Sequence, residues 1–176
     1  MNDVPPEEIE HDCNRRLQLA EMSITYRLAG ISDIETLVDQ RMRFFRDAKP
    51  EMDAEPLREP NRIYYAETLP TGECVYWLAM HDDRCIGGAG FALRRYAPGY
   101  MLRDGVSAYV FNVFVEPDYR KRGIAKEIMR RLMDEARKRG IGRLDLHATE
   151  AGRPLYEKLG FEPPDHVWLE WYAPGG

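Results

Sequence analysis

Between a run of hydrophobic residues and a row of helix formers, the chain carries RKRGIA, formed by Arg120, Lys121, Arg122, Gly123, Ile124 and Ala125. A helix start exposes backbone N–H groups that have no intrahelical partner and carries the positive end of the macrodipole. A glycine set among basic residues at such a point is therefore suited to hold phosphate. Small residues at Gly123 and Ala125 let the backbone approach a pyrophosphate, and the amides of Arg122, Gly123, Ile124, Ala125 and Lys126 can donate to its oxygens. Arg120, Lys121 and Arg122 add positive charge nearby. The plainer alternative is a glycine that eases a strand-to-helix turn, with the arginines out in water.

Other chemistries find less support. A triphosphate-binding P-loop needs a second Gly and then Lys five and six residues after its first glycine, where this chain has Ile128 and Met129. GGAGFAL, residues 87–93, begins like a dinucleotide fingerprint but lacks the third glycine and runs into strand-like residues, so small residues in a hairpin strand explain it better. His11, His81, His147 and His166 show no metal-ligand spacing, and no serine occupies a G-x-S-x-G elbow. No metal site is expected.

The elements that must position the loop follow from periodicity. Ile24–Leu28 alternates like a strand. Ser32 with Glu35 matches a capping box that opens a helix through about Arg46, with Ile34, Leu37, Val38, Met42 and Phe45 as its apolar stripe. DAKPEMDAEPLREPN, residues 47–61, reads as a charged loop or broken helix, and residues 62–67 as a short helix. Residues 73–81 and 85–93 read as strands joined by DDR, hence a hairpin. Residues 107–115 are apolar on both faces apart from Asn112, as the spine of a sheet would be. Pro117 suits the second position of a tight turn that ends this strand. Ala125, Ile128, Met129, Leu132, Met133 and Ala136 recur at helical steps, ARKR crowds the last turn, and Gly140 supplies the stop. Leu144, Leu146 and Ala148 alternate as a strand, residues 154–159 form a short helix ending at Gly160, and Val167, Leu169 and Trp171 suggest a terminal strand. Residues 1–22 read as a polar extension with one short helix around residues 7–21, ahead of a single domain over residues 23–176.

Composition bounds the function. A length of 176 residues with 44% apolar content fits one globular domain with a real core. A net charge of -5 argues against a nucleic-acid partner. Cys13, Cys74 and Cys85 are odd in number and lack C-x-x-C spacing, which makes a reducing cytoplasm the expected setting. No stretch has the pattern of a signal peptide or the length of a membrane span, so no membrane association is expected.

Arg120, Gly123 and Ala125 stand as R-x-x-G-x-A directly after a Pro-terminated strand. With FNVFVEPDYRKRGIAKEIM and, downstream, LHATEAGRPLYEKLGFEP, the chain resembles the GNAT superfamily of acyl-CoA-dependent N-acetyltransferases, most clearly over residues 108–163. The resemblance implies a mixed α/β (α+β) fold: a mostly antiparallel central sheet flanked by helices and splayed at its central strand. It implies acetyl-CoA as co-substrate and a small-molecule or peptide amine as acceptor. Main-chain groups of Val113, Phe114 and Val115 would hold the pantetheine arm, and an amide near Asn112 or Val113 would polarise the thioester carbonyl. Asn112 could face the acceptor or mark a bulge that makes the splay. Tyr156 stands at the family's acid position, against the alternative of a tyrosine packing the core. Glu116, beside the cofactor strand, and His147, on the strand after it, are the candidate bases, each with a plain surface role as its alternative. Where relatives carry a pantetheine-contacting asparagine, this chain has Thr149.

Glu51, Asp53, Glu55 and Glu59 cluster in the segment that borders the acceptor groove in proteins of this resemblance. They suggest a cationic primary amine, or else a solvated acidic loop. Two other classes stand beside the enzyme. One is a CoA-binding sensor without transfer; the other is a structural protein whose HVWLEWY segment pairs subunits in a homodimer. Tyr156 together with a complete R-x-x-G-x-A loop favours the enzyme.

Overall fold

A computed structural model describes residues 23–165, 167 and 169–173. The N-terminal extension and its expected helix lie outside them. The described residues divide into one unit through Leu146 and a second from His147 onward.

In the first unit, β1 (Ile24–Leu28), β2 (Cys74–His81), β3 (Arg84–Arg95), β4 (Val106–Val115) and β5 (Leu144–Asp145) form a sheet in the order β1-β2-β3-β4-β5. The first three pairings are antiparallel, and β4 pairs parallel with β5. The fold class expected from the sequence is therefore the one found. The middle strand, however, is β3, and β4 is fourth of five. Pairing of β4 with β5 stops after Ala108↔Leu144 and Tyr109↔Asp145, so the rest of β4 has no strand on that side among the described residues. This is the splay. The strand expected through Ala148 is cut short for the same reason: alternation of side chains runs on, but the ladder does not.

Helices α1 (Ile34–Ala48) and α2 (Arg58–Thr71) cover one face of the sheet, where Leu37, Val38, Tyr65, Cys74, Tyr76 and Leu78 form a buried cluster. On β2, neighbours of Tyr76 and Leu78 point the other way. There α3 (Ile124–Lys138) lies across the sheet, with the Arg131 guanidinium 4.7 Å from the Tyr26 ring and 5.2 Å from the Trp77 ring. Ile124, Ile128, Met129, Leu132 and Ala136 supply its buried stripe, so Ile124 takes the core position expected of Ala125.

Two helix starts differ from expectation. No Ser32 side-chain cap forms; a 3-10 turn over Ile31–Asp33 precedes α1. Asp33 instead turns back, accepting from the Gly30 N–H at 2.8 Å and from Arg27 Nη1 and Nη2 at 2.7 Å each. Helix α2 begins four residues before the expected start, because Pro60 falls in the first turn, where no N–H is needed. Proline there is part of the helix opening.

The second unit holds α4 (Arg153–Glu157). Thr149 sets its entry: Thr149 Oγ1 accepts from the Gly152 N–H at 3.1 Å and the Thr149 carbonyl from the Arg153 N–H at 2.9 Å. The expected terminal strand falls partly on residues 166 and 168, outside the description. Val167 and residues 169–173 carry no strand pairing, and Val167, Leu169, Trp171 and Tyr172 are exposed. No described helix is long and apolar enough to cross a membrane.

Asp33→Ala removes the Arg27 pair and the Gly30 acceptor together, and should lower stability at pH 7 by about 2 kcal/mol, read from urea unfolding. Hydrogen bonding to Arg27 holds the Asp33 carboxyl below its ordinary value. Its stabilisation is therefore complete above the usual aspartate value of about 4 and is lost as pH falls through the lowered folded-state value. The two proteins should converge in acid. Equal stability at pH 7 would show that the cluster contributes nothing.

Candidate active site

The basic loop is built by the end of β4. Glu116 and Pro117 begin a turn closed by the Tyr119 N–H on the Glu116 carbonyl at 2.9 Å, with Pro117 in the second position. Lys121 (φ 62) and Gly123 (φ 79) then take left-handed backbone conformations before α3 starts. Successive turns of this kind aim amides into one concavity. Gly123 is the N-cap, and the Glu127 N–H is bonded to the Gly123 carbonyl at 3.0 Å. The amides from Gly123 to Lys126 thus precede the first intrahelical bond and remain as donors. A methyl group added at Gly123 would meet no protein atom within 4 Å, so the space above this glycine is open. The loop fits a diphosphate.

Arg120 has another task. Its Nε donates to the Val115 carbonyl at 2.9 Å, its Nη2 pairs with Asp47 at 2.7 Å, and its guanidinium lies 5.8 Å from the Phe114 ring. It ties the loop to β4 and to the end of α1, while Lys121 is exposed and Arg122 stacks 5.3 Å from the Tyr119 ring. Phe114 and Val115 are buried and Val113 is half-buried, which leaves mainly their backbone groups for a ligand.

Asn112 marks a bulge. Gly88 pairs with Phe114 and Gly90 with Phe111, so β4 carries one residue more than β3 between these pairs, and Asn112 sits there at φ 54. Its side chain is buried, 2% exposed, and Nδ2 donates to the Tyr76 hydroxyl. That hydroxyl donates to Gln40 Oε1 at 3.1 Å, and Gln40 Nε2 donates to the Cys85 sulfur at 3.0 Å. Burial pushes the Tyr76 phenol well above its ordinary value and the Cys85 thiol up to about 11, so both keep their protons at neutral pH. GGAG now has a physical reason. A methyl group on Gly88 would lie 2.6 Å from both Gln40 Oε1 and Tyr76 Cε1, and one on Gly90 would lie 2.5 Å from Tyr76 Cδ2. The missing side chains make room for the tyrosine that reaches Asn112.

The remaining candidates fall as follows. Glu116 is buried and its carboxylate pairs with Arg43 of α1, so it is already engaged by a cation. His147 lies beyond β5, not on it, and is exposed. Tyr156 is half-buried on α4, its ring 6.0 Å from that of Phe161 in an edge contact. Within the acidic segment, Glu55 pairs with Arg58 and Glu59 with Arg62, so half of its four carboxylates are already compensated. Sequence reasoning missed Tyr76, Gln40 and Arg41. Arg41 Nε, the Tyr65 hydroxyl and Asn112 Oδ1 are buried polar atoms without a hydrogen-bond partner, and all three belong to residues around Tyr76 and Phe111.

Comparison with known proteins agrees with this geometry. The Acetyltransferase (GNAT) family profile matches residues 35–161. The chain is 40% identical over 57 residues to the ribosomal protein bS18-alanine N-acetyltransferase of Escherichia coli (strain K12), covering 31% of this chain and 38% of that protein. It is 30% identical over 116 residues to the mycothiol acetyltransferase of Thermobifida fusca, covering 62% of this chain and 31% of that one. The match thus spans well under half the length of these relatives. Among solved structures, a predicted acetyltransferase with acetyl-CoA from Clostridium acetobutylicum is similar with a TM-score of 0.78 and 33% identity, over 85% of this chain and 96% of that chain. A GCN5-related N-acetyltransferase from Ralstonia eutropha gives a TM-score of 0.75 and 28% identity, over 85% and 99%. With the family profile covering most of its length and a full-length structural relative above 30% identity, the chain belongs to the acetyltransferase (GNAT) family.

Proposed function

We propose that this protein is an N-acetyltransferase that moves the acetyl group of acetyl-CoA directly to an amine. The observation that carries this is the open edge of β4: among the described residues the strand has no partner on its β5 side after Tyr109, it is bulged at Asn112, and it leads into the amides that precede the first intrahelical bond of α3. Acetyl-CoA supplies the acetyl group as a thioester. The amides of Gly123, Ile124, Ala125 and Lys126, with those of Lys121 and Arg122, hold its diphosphate, and Arg120 fixes the loop that presents them. Backbone groups of Val113, Phe114 and Val115 take the pantetheine arm as an added strand. The amide at Asn112 or Val113, turned out of the ladder by the bulge, donates to the thioester carbonyl as charge develops there.

Tyr156 is the proposed donor of the proton that the leaving thiolate requires. Glu116 and His147 are the proposed alternatives for accepting the amine's proton, and the Arg43 pair favours the exposed His147. Thr149, occupied in its own turn, is a weaker candidate for the pantetheine contact. A cytoplasmic setting suits Cys74 and Cys85, which are free thiols. The exposed Val167, Leu169, Trp171 and Tyr172 support pairing of two copies as a homodimer.

Acetyl-CoA at a hundredfold excess over its Kd should stabilise the protein by about 2.7 kcal/mol, read as a rise in Tm. Gly123→Asp, which places a carboxylate where the phosphates sit, should remove that rise while the variant stays folded. A rise of parental size in the folded variant would exclude the loop as the diphosphate site. Tyr156→Phe keeps the ring and loses the hydroxyl; kcat should fall about a hundredfold with acetyl-CoA affinity unchanged. Full kcat would return Tyr156 to packing. A protein stabilised by acetyl-CoA that releases no thiol with any amine would be a sensor.

A further inference from the structure

Arg41 differs from the arginines around it. Arg43, Arg58, Arg62 and Arg120 each hold a carboxylate, but among the described residues no acidic side chain pairs with Arg41. Its guanidinium carbon lies 4.4 Å from the centre of the Phe45 ring, 5.4 Å from Phe111 and 5.6 Å from Phe44, and its Nε is buried without a partner. Aromatic faces hold the charge in place and satisfy none of the fork of N–H donors, a fork shaped for a carboxylate or a phosphate.

The location gives this a meaning for the reaction. Phe111 immediately precedes the bulge residue, and the Phe111 ring and the Asn112 side chain both reach Tyr76, so both lie on the face covered by α1 and α2. The other face is filled by the buried stripe of α3. An amine approaching the bulge must therefore come over the α1–α2 face. There it meets half-buried Phe44, Phe45, Tyr64 and Phe111, and the guanidinium of Arg41, with which no described carboxylate pairs. The acidic segment is a poorer lure, since Glu55 and Glu59 are paired with arginines.

We propose that Arg41 sets acceptor specificity by binding an anionic group, a carboxylate or phosphate carried by the same molecule as the attacking amine. The rings pack against the body of the acceptor, the guanidinium fork holds its anion bidentately, and the amine is left facing β4. This deepens the transferase assignment above and rests on it.

The test uses matched amines with and without the anion: phenylalanine and phenethylamine, phosphoethanolamine and ethanolamine, glucosamine 6-phosphate and glucosamine. Thiol release from acetyl-CoA should show the charged member of at least one pair favoured about tenfold or more in kcat/KM, and the winning pair identifies carboxylate or phosphate as the anion. Arg41→Gln should collapse that preference to about twofold or less through the acceptor KM, with the uncharged amines and the KM for acetyl-CoA unaffected. Arg41→Lys, which keeps the charge but not the fork, should fall between. Better transfer to the uncharged members, no transfer to any charged member, or an equal loss on both members of each pair in Arg41→Gln would overturn the assignment. Failure of the transferase assignment is separately visible: acetyl-CoA would neither raise the Tm of the parent nor release thiol with any amine, and the role of Arg41 would fall with it.

Discussion

The hydrogen bond from the Asn112 side chain to the Tyr76 phenol is the contact on which the site depends. Asn112 holds a backbone conformation that few non-glycine residues adopt, and its amide side chain anchors it there by reaching a hydroxyl buried beneath the sheet. Tyr76 can be there only because β3 offers Gly88 and Gly90 opposite its ring. Gln40 holds the other side of the hydroxyl, so α1 is part of the same lock. Helix, glycines and tyrosine together maintain a local irregularity of β4, and the strand leaves the ladder with β5 before reaching it. Stability and chemistry meet here, because the buried Asn112 amide would lose its hydroxyl partner if the bulge straightened.

Charge is distributed in a complementary way. Arg27, Arg43 and Arg120 fasten, respectively, the entry of α1, the end of β4 and the basic loop before α3, each through a carboxylate on another element or turn. Arg58 and Arg62 neutralise much of the acidic stretch of α2 and its approach. What remains near the bulge is the guanidinium of Arg41 among aromatic rings. Among the described residues no carboxylate offsets that charge, although the chain as a whole is acidic.

Features that depend on neighbouring residues were legible in the sequence. The R-x-x-G-x-A loop, the stripe of α3 and the Pro117 turn follow from spacing along a few turns of chain, and the two cofactor motifs together gave the family and the fold. Features set by partners far away were not. Asn112 offered two readings, and the structure shows that it marks the bulge; the choice required the pairing of β3 with β4 and the position of Tyr76 thirty-six residues earlier. GGAG was visible as small residues, but its reason lies in the tyrosine ring that crosses it. Pro56 and Pro60 suggested a broken helix because proline interrupts a helix interior; here they open one. Nothing in the sequence singles out Arg41, and only its surroundings distinguish it from Arg43.

The central claim is that the Tyr76 hydroxyl, remote from any reacting atom, holds the bulge amide in a catalytic position. The most direct measurement is the single-turnover rate of acetyl transfer by Tyr76→Phe, set beside its acetyl-CoA affinity. The rate should fall about tenfold or more while the affinity stays within about twofold, because the proposed diphosphate loop is untouched and only the proposed donor to the thioester carbonyl has lost its support. A folded variant that transfers acetyl at the parental rate would contradict the account and reduce the Asn112–Tyr76–Gln40 chain to a feature of the core.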